Sequence, residues 1–203
     1  GRECNGSGCE CGSRRQAWRL GGEGTMNTEQ KSFREPKRLH LPATEEEIRS
    51  LWVGDMLLLD GFLYTGRDAV LPRLVAACAK PSYCGPDLRG SAVFHTAVSP
   101  AGVGPTSSNK LEILQSMVPL ARQGVLMHIG KGALDQETVH ALCREGAVYA
   151  VTPPVTALFN ACIEEREVVF GADLGMEAMN RLKVHDFPVI IAAAGGESLY
   201  EKR

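Results

Sequence analysis

The stretch that most restricts how this chain can fold runs from residue 103 to 134. It opens with a loop, Gly104-Pro105-Thr106-Ser107-Ser108-Asn109-Lys110, and continues as an amphipathic run in which Leu111, Leu114, Met117 and Val118 share one helical face. The apolar segment 125–129 follows as a short buried strand, and Gly130-Lys131-Gly132 forms a second loop before another helix. A helix that feeds a buried strand needs a sheet to lie on, so the unit predicts an α/β fold with a parallel or mixed sheet flanked by helices. Each loop also brings backbone N–H groups, hydroxyls or a lysine to the mouth of a helix, a setting that suits an anion.

The same alternation extends on both sides. Thr44-Glu45-Glu46-Glu47 has the pattern of a capping box, which predicts a short helix to about Leu51. Residues 56–59 read as a strand, Asp60-Gly61 as a hairpin turn and 62–65 as the returning strand. Gly66-Arg67-Asp68 then leads into a helix over 69–79, with Asp68 as N-cap and Pro72 tolerated in the first turn. Further on, strands are expected at 92–96, 148–151, 168–170 and 189–192. Helices are expected over 136–144, capped by Asp135, and over 155–165, and Gly195-Gly196 marks a late turn.

Size and charge limit the options. With 203 residues, 44% of them hydrophobic, the chain can support one domain with a real core. Residues 1–25 have few large apolar groups and no periodicity. They are expected to be a disordered or expression-derived extension ahead of a natural start at Met26, followed by an extended segment over 26–43 and a single domain over 44–203. A net charge of -2 gives no general attraction to nucleic acid or to an anionic membrane, so any basic site must be local. No apolar run approaches the roughly 20 residues of a membrane span, which makes a cytoplasmic location the expectation. Seven cysteines at irregular spacing argue against a disulfide framework. Cys4, Cys9 and Cys11 fit no common zinc pattern, and Cys143 and Cys162 are expected as buried thiols.

Familiar nucleotide motifs do not account for the loops. A Walker loop needs four residues between its glycines and Ser or Thr after the lysine, whereas five apolar strand residues separate Gly124 from Gly130 and Gly132 follows Lys131. What remains is a set of cations, Arg67, Lys110 and Lys131, with Thr106 and its neighbouring hydroxyls, each between a strand and a helix. Loops of that kind face one crevice at the carboxyl ends of an open α/β sheet, and three cations there suit a small dicarboxylate. Three separately solvated side chains are the competing reading.

Several blocks in order carry a more specific signal. Val53-Gly54-Asp55, Leu59-Asp60-Gly61, Tyr64-Thr65-Gly66-Arg67-Asp68, Gly104-Pro105-Thr106-Ser107-Ser108, Ile129-Gly130-Lys131-Gly132, Glu145-Gly146-Ala147-Val148-Tyr149, Leu174-Gly175-Met176-Glu177-Ala178 and Asp186-Phe187-Pro188 follow one another. Over about residues 44–200 this order resembles the beta subunit of class I fumarate hydratase and L-tartrate dehydratase, also found as the C-terminal domain of single-chain class I fumarases. The resemblance implies a swivelling β/β/α-type domain that works with an alpha subunit. That partner would hold an oxygen-sensitive [4Fe-4S] cluster, with none bound by this chain, in a hetero-oligomer; a homodimer is the alternative for the isolated chain. It further implies Thr106 as a proton-transfer group, Lys131 as a lysine approaching substrate and Arg67 as a carboxylate-binding arginine. The expected site is therefore Thr106 and Lys131 as catalytic groups, with Arg67, Lys110, Ser107 and Gly130 binding substrate and no metal ligand.

The departures from the family pattern are local. Lys110-Leu111-Glu112 stands where Arg-Met-Asp or Arg-Met-Glu is usual, and lysine keeps the charge but not the two-pronged grip of guanidinium. Leu71 occupies a common histidine position, Ala97-Val98-Ser99-Pro100 replaces a Gly-Pro, and Pro154-Val155-Thr156 replaces Gly-Gly-Ala. These motivate an alternative, a diverged subunit that binds an organic anion or serves assembly.

Overall fold

The computed structural model describes residues 35–104 and 110–201. In chain order the elements are β1 (Lys37–Leu41), α1 (Glu45–Arg49), β2 (Met56–Thr65), α2 (Val70–Cys78), β3 (Ser91–Phe94), β4 (Val98–Ser99), β5 (Gly102–Val103), α3 (Lys110–Arg122) and β6 (Val125–Gly130). They continue with α4 (Gln136–Arg144), β7 (Val148–Val151), α5 (Thr156–Cys162), β8 (Ile163–Phe170), a 3-10 turn (Ala172–Glu177), β9 (Met179–Ala194) and β10 (Glu197–Ser198).

Local chemistry sets many of these boundaries. Thr44 Oγ1 accepts from the Glu47 N–H at 3.3 Å, while the Glu47 carboxylate accepts from the Thr44 N–H at 2.8 Å, completing the capping box. Asp135 caps α4 by accepting from the Thr138 N–H at 2.8 Å.

The architecture is mixed α/β. Strands β1, β2, β3, β6 and β7 run parallel, and the 16-residue β9 lies antiparallel to both β7 and β2. Pairing with both closes β2, β3, β6, β7 and β9 into a barrel-like sheet, with β8 and β10 added along β9. Because side chains alternate along a strand, the barrel interior takes Leu57, Leu59 and Leu63, Ala92 and Phe94, Met127 and Ile129, Val148 and Ala150, and Leu182, Phe187 and Ile191. Helix α5 adds Phe159, which stacks on Phe187 at 5.1 Å and meets Phe94 edge-on at 5.6 Å. Outward-facing Val93 and Val125 are covered by Val70, Leu71, Leu74 and Leu120 from α2 and α3. Tyr149 and Ala192 are covered by Met117, Val139 and Leu142 from α3 and α4.

Four expectations are corrected. Asp60-Gly61 is no hairpin: β2 runs straight through it, with Leu59 opposite Phe187 and Gly61 opposite Val184. Gly61 supplies a bulge at φ 98°, and a Cβ there would lie 2.2 Å from the Leu41 carbonyl oxygen. Asp60 meanwhile accepts from the Asp186 N–H at 3.0 Å. A long partner strand outcompetes a two-residue turn.

Second, the helix expected over 155–165 stops at Cys162, because the charged residues that follow pair across a ladder. Lys183 reaches Glu165 at 3.1 Å and Arg181 reaches Glu167 at 2.6 Å, each facing its partner in register. Third, Asp68 does not cap α2. Its N-cap is Ala69, whose N–H donates to the Glu177 carboxylate at 3.2 Å, while Asp68 lies beside Arg67. Fourth, Cys162 is buried but Cys143, in the last turn of α4, is exposed.

Among the described residues, no helix is long and apolar enough to cross a membrane.

Candidate active site

Parallel strands end on a common edge, and here two of those ends, of β2 and β6, carry residues of the expected site. Thr65 of β2 pairs with Phe94 of β3, which pairs with Ile129 of β6. Arg67 lies two residues beyond Thr65, and Lys131 two beyond Ile129. With one strand between them, their stems leave the rim about 10 Å apart, two inter-strand spacings. His95 and Thr96 follow β3 between them. The Thr96 hydroxyl donates to the Gly104 carbonyl, so this end of β3 also holds the start of the Gly104-Pro105 loop. Lys110 is the first residue of α3. Thr106 and Ser107 lie outside the described residues, as does the 1–25 extension.

Arg67 is only 17% exposed. Its Nε lies 3.3 Å from Glu177 Oε1 and its Nη2 3.5 Å from Asp68 Oδ2. Its backbone is fixed on both sides: the Gly66 N–H donates to the Phe94 carbonyl at 3.0 Å, and the Leu71 N–H to the Arg67 carbonyl at 3.0 Å. Leu71 itself is fully buried, and a Cβ on Gly66 would come within 2.6 Å of its Cδ2. The apolar leucine therefore serves the core beneath the rim.

On β6 the glycines have separate reasons. A Cβ on Gly130 would sit 2.8 Å from the Tyr149 hydroxyl, so glycine is required for close approach, whereas Gly132 has φ 73° in open space. Lys131 between them is exposed. Burial, with a smaller contribution from Tyr200, pushes the Tyr149 phenol well above its ordinary range, so it stays protonated beside this loop.

Beneath the rim, His95 and His128 form a buried pair. Nε2 of His95 lies 3.1 Å from Nδ1 of His128, and the rings stack with centroids 5.2 Å apart. Burial, and next the neighbouring His128, hold His95 well below its usual pKa; burial lowers His128 to about 4. The Gly66 and Met117 carbonyls oppose those shifts without reversing them. Both rings are thus neutral, one donating and the other accepting in their shared hydrogen bond. Nothing in the sequence marked this pair, because a histidine within an apolar run reads as core until its neighbour is known.

Among the described residues, one group has the composition of a metal site: Asp60, His185 and Asp186. Arg38 already bridges its two carboxylates, at 2.9 Å and 2.7 Å, which makes it an ion-pair cluster. Cys78, Cys84, Cys143 and Cys162 are free. No described group brings three of them together.

Comparison with known proteins agrees with the ordered motifs. The family described as Fumarase C-terminus matches residues 22–203. A Geobacillus stearothermophilus protein described as a class I fumarate hydratase is 35% identical over 176 residues, covering 80% of this chain and 33% of that protein. The chain thus spans about a third of that relative's length. The L(+)-tartrate dehydratase subunit beta of Escherichia coli K12 is 30% identical over 168 residues, covering 77% of this chain and 82% of the subunit. A similarly described beta subunit from Methanocaldococcus jannaschii is 28% identical over 174 residues, covering 78% and 88% respectively.

Proposed function

Because this chain belongs to the fumarase C-terminal family of hydro-lyase proteins, we propose that it is the beta-type half of an enzyme that reversibly removes water from a 2-hydroxy dicarboxylate, malate or tartrate in kind. The observation that carries this reading is that Arg67 and Lys131 leave one rim of the sheet on either side of β3. Two cations spaced about 10 Å apart at their stems can close on the carboxylates of one small ligand.

Elimination of water requires the substrate carboxylates to be neutralised, a proton to leave C3 and the hydroxyl to leave C2. Arg67 binds one carboxylate. Lys131 meets the other and stabilises the negative charge that develops as the C3 proton departs. Thr106 serves in proton transfer, a role that needs activation by a neighbour because a hydroxyl alone is a poor base. Ser107 and the Gly130 N–H orient the ligand, and Lys110 adds charge at the start of α3.

In this reading a [4Fe-4S] cluster would be held by an alpha subunit and would supply the Lewis acid for the leaving hydroxyl; among the described residues Cys78, Cys84, Cys143 and Cys162 are free and no three of them come together. The working unit is then a hetero-oligomer.

Anaerobic reconstitution with a cluster-bearing alpha subunit of the same family tests the reading. The complex is expected to dehydrate at least one of malate and the tartrates, and Lys131→Ala to lower kcat/KM about 100-fold to 1,000-fold with an unchanged melting temperature. A cluster-replete complex inert on all of these substrates would leave the second reading, a diverged anion-binding subunit, which the Lys110 replacement favours.

A further inference from the structure

The motif Leu174-Gly175-Met176-Glu177-Ala178 lies over 100 residues from Arg67 in sequence, and the rim chemistry described above makes no use of it. In the fold it forms the end of the 3-10 turn and the entry to β9, where Gly175 breaks the helical path at φ 59° and ψ -119°. The residues that follow are firmly held: Ala178, Met179 and Asn180 are buried, and the Asn180 N–H donates to Thr65 Oγ1 at 3.1 Å. Thr65 ends the strand that presents Arg67. The turn and the arginine therefore hang from the same rigid pairing of β2 with β9.

From that turn Glu177 extends one carboxylate to two targets. Oε1 lies 3.3 Å from Arg67 Nε, and Oε2 accepts from the Ala69 N–H at 3.2 Å, in the turn that begins α2. Asp68 also touches Arg67, at 3.5 Å, but as its chain neighbour it moves with the arginine and cannot fix it relative to the sheet. Glu177 can. A guanidinium has five N–H donors in a planar fork, so contact with these carboxylates is compatible with gripping a ligand.

We infer that Glu177 is a positioning residue that sets the direction of the Arg67 guanidinium for substrate binding. This rests on the dicarboxylate reading of the rim. The competing role is purely structural, a cap for α2.

Glu177→Gln separates the two roles, because an amide oxygen still accepts from the Ala69 N–H while the charge opposite Arg67 Nε is lost. In the reconstituted complex, KM for the hydroxy dicarboxylate is expected to rise about tenfold with kcat within about threefold, the pattern of lost uniform binding. Arg73→Ala is the control. It breaks the second link between the turn and α2, the 2.8 Å pair of Arg73 with Asp173, without touching Arg67, and KM is expected to stay unchanged. Glu177→Asp replaces the first variant should it fail to fold, and is likewise expected to raise KM.

The deciding measurement is the double-mutant cycle. If Glu177 acts through Arg67, adding Glu177→Gln to Arg67→Ala changes KM no further. Equal effects of Glu177→Gln in both backgrounds, or an unchanged KM in the single variant, would overturn the inference while leaving the hydro-lyase reading intact. A wild-type complex inert on every hydroxy dicarboxylate would remove both.

Discussion

Arg67 and Arg38 each sit between two carboxylates, and the two settings differ in everything except that count. Arg38 reaches from β1 to Asp60 on β2 and Asp186 on β9, with His185 joining at 2.8 Å from Asp60. Its side chain is 57% exposed, in the open on the flank of the sheet. Arg67 is mostly enclosed, at the end of a parallel strand, and one of its carboxylates arrives from a segment locked to that strand. Exposed pairs are screened by water and salt and lose much of their attraction to side-chain entropy. Pairing alone therefore does not distinguish the two; in the proposed reading, enclosure and a partner whose position is set independently make Arg67 the working cation.

The largest effect that separates the two is on turnover. In the reconstituted complex Arg67→Ala is expected to lower kcat/KM by about 100-fold to 1,000-fold, as loss of a charged ligand contact does. Arg38→Ala in the same assay should leave it within about twofold. Equal losses in the two variants would erase the distinction.

Acid sharpens the contrast in a second way, because the rim and the flank respond in different pH windows. The folded-state pKa values of His95 and His128 lie below the ordinary value, so as pH falls from about 6.5 the unfolded chain takes up these protons first. Stability contributed by the neutral pair is therefore lost between about pH 6.5 and the value of about 4 reached by His128. Asp60 on the flank is held below the usual carboxylate range, first by the Asp186 N–H and then by Arg38. Its contribution persists through that window and disappears only at lower pH. Urea midpoints measured from pH 7 to 4.5 should decline, and His95→Phe combined with His128→Val should flatten the decline. An identical slope in that variant would mean that the pair is not buried neutral.

What the sequence made legible follows the range of the interactions. Thr44 with Glu47, Asp135 with Thr138 and the strand 148–151 are set by residues a few positions apart, and all appear as expected. Asp60-Gly61 misled because its glycine is required by the distant Leu41 carbonyl and by β9, neither of which a local turn pattern contains. The segment after Cys162 misled for the same reason, since its ladder partners are Arg181 and Lys183. Around the candidate site, the places of Arg67, Gly130 and Lys131 at strand-to-helix junctions are readable from the local pattern. Glu177 was visible as part of a motif, but its partners Arg67 and Ala69 lie more than 100 residues earlier. His95 and His128 are 33 residues apart and become a pair only through the register of β3 against β6.

The smallest expected effect is the stability change in Arg38→Ala. Removing this guanidinium leaves Asp60 and Asp186 without their shared cation, yet neither carboxylate is stranded. Asp60 Oδ1 still accepts from the Asp186 N–H at 3.0 Å, and His185 Nδ1 remains 2.8 Å away. The Asp186 side chain is 42% exposed, and its buried Oδ1 is the atom that meets Arg38, so losing the guanidinium lets water reach it and its repulsion with Asp60 is damped at physiological ionic strength. The urea midpoint at pH 7 and about 0.15 M salt should therefore match wild type within error, with a small decrease emerging at about 0.01 M salt as the screening length grows. A large loss already at the higher salt would show that the flank cluster fastens β1 to the barrel, and exposure would then be a poor guide to which arginine matters.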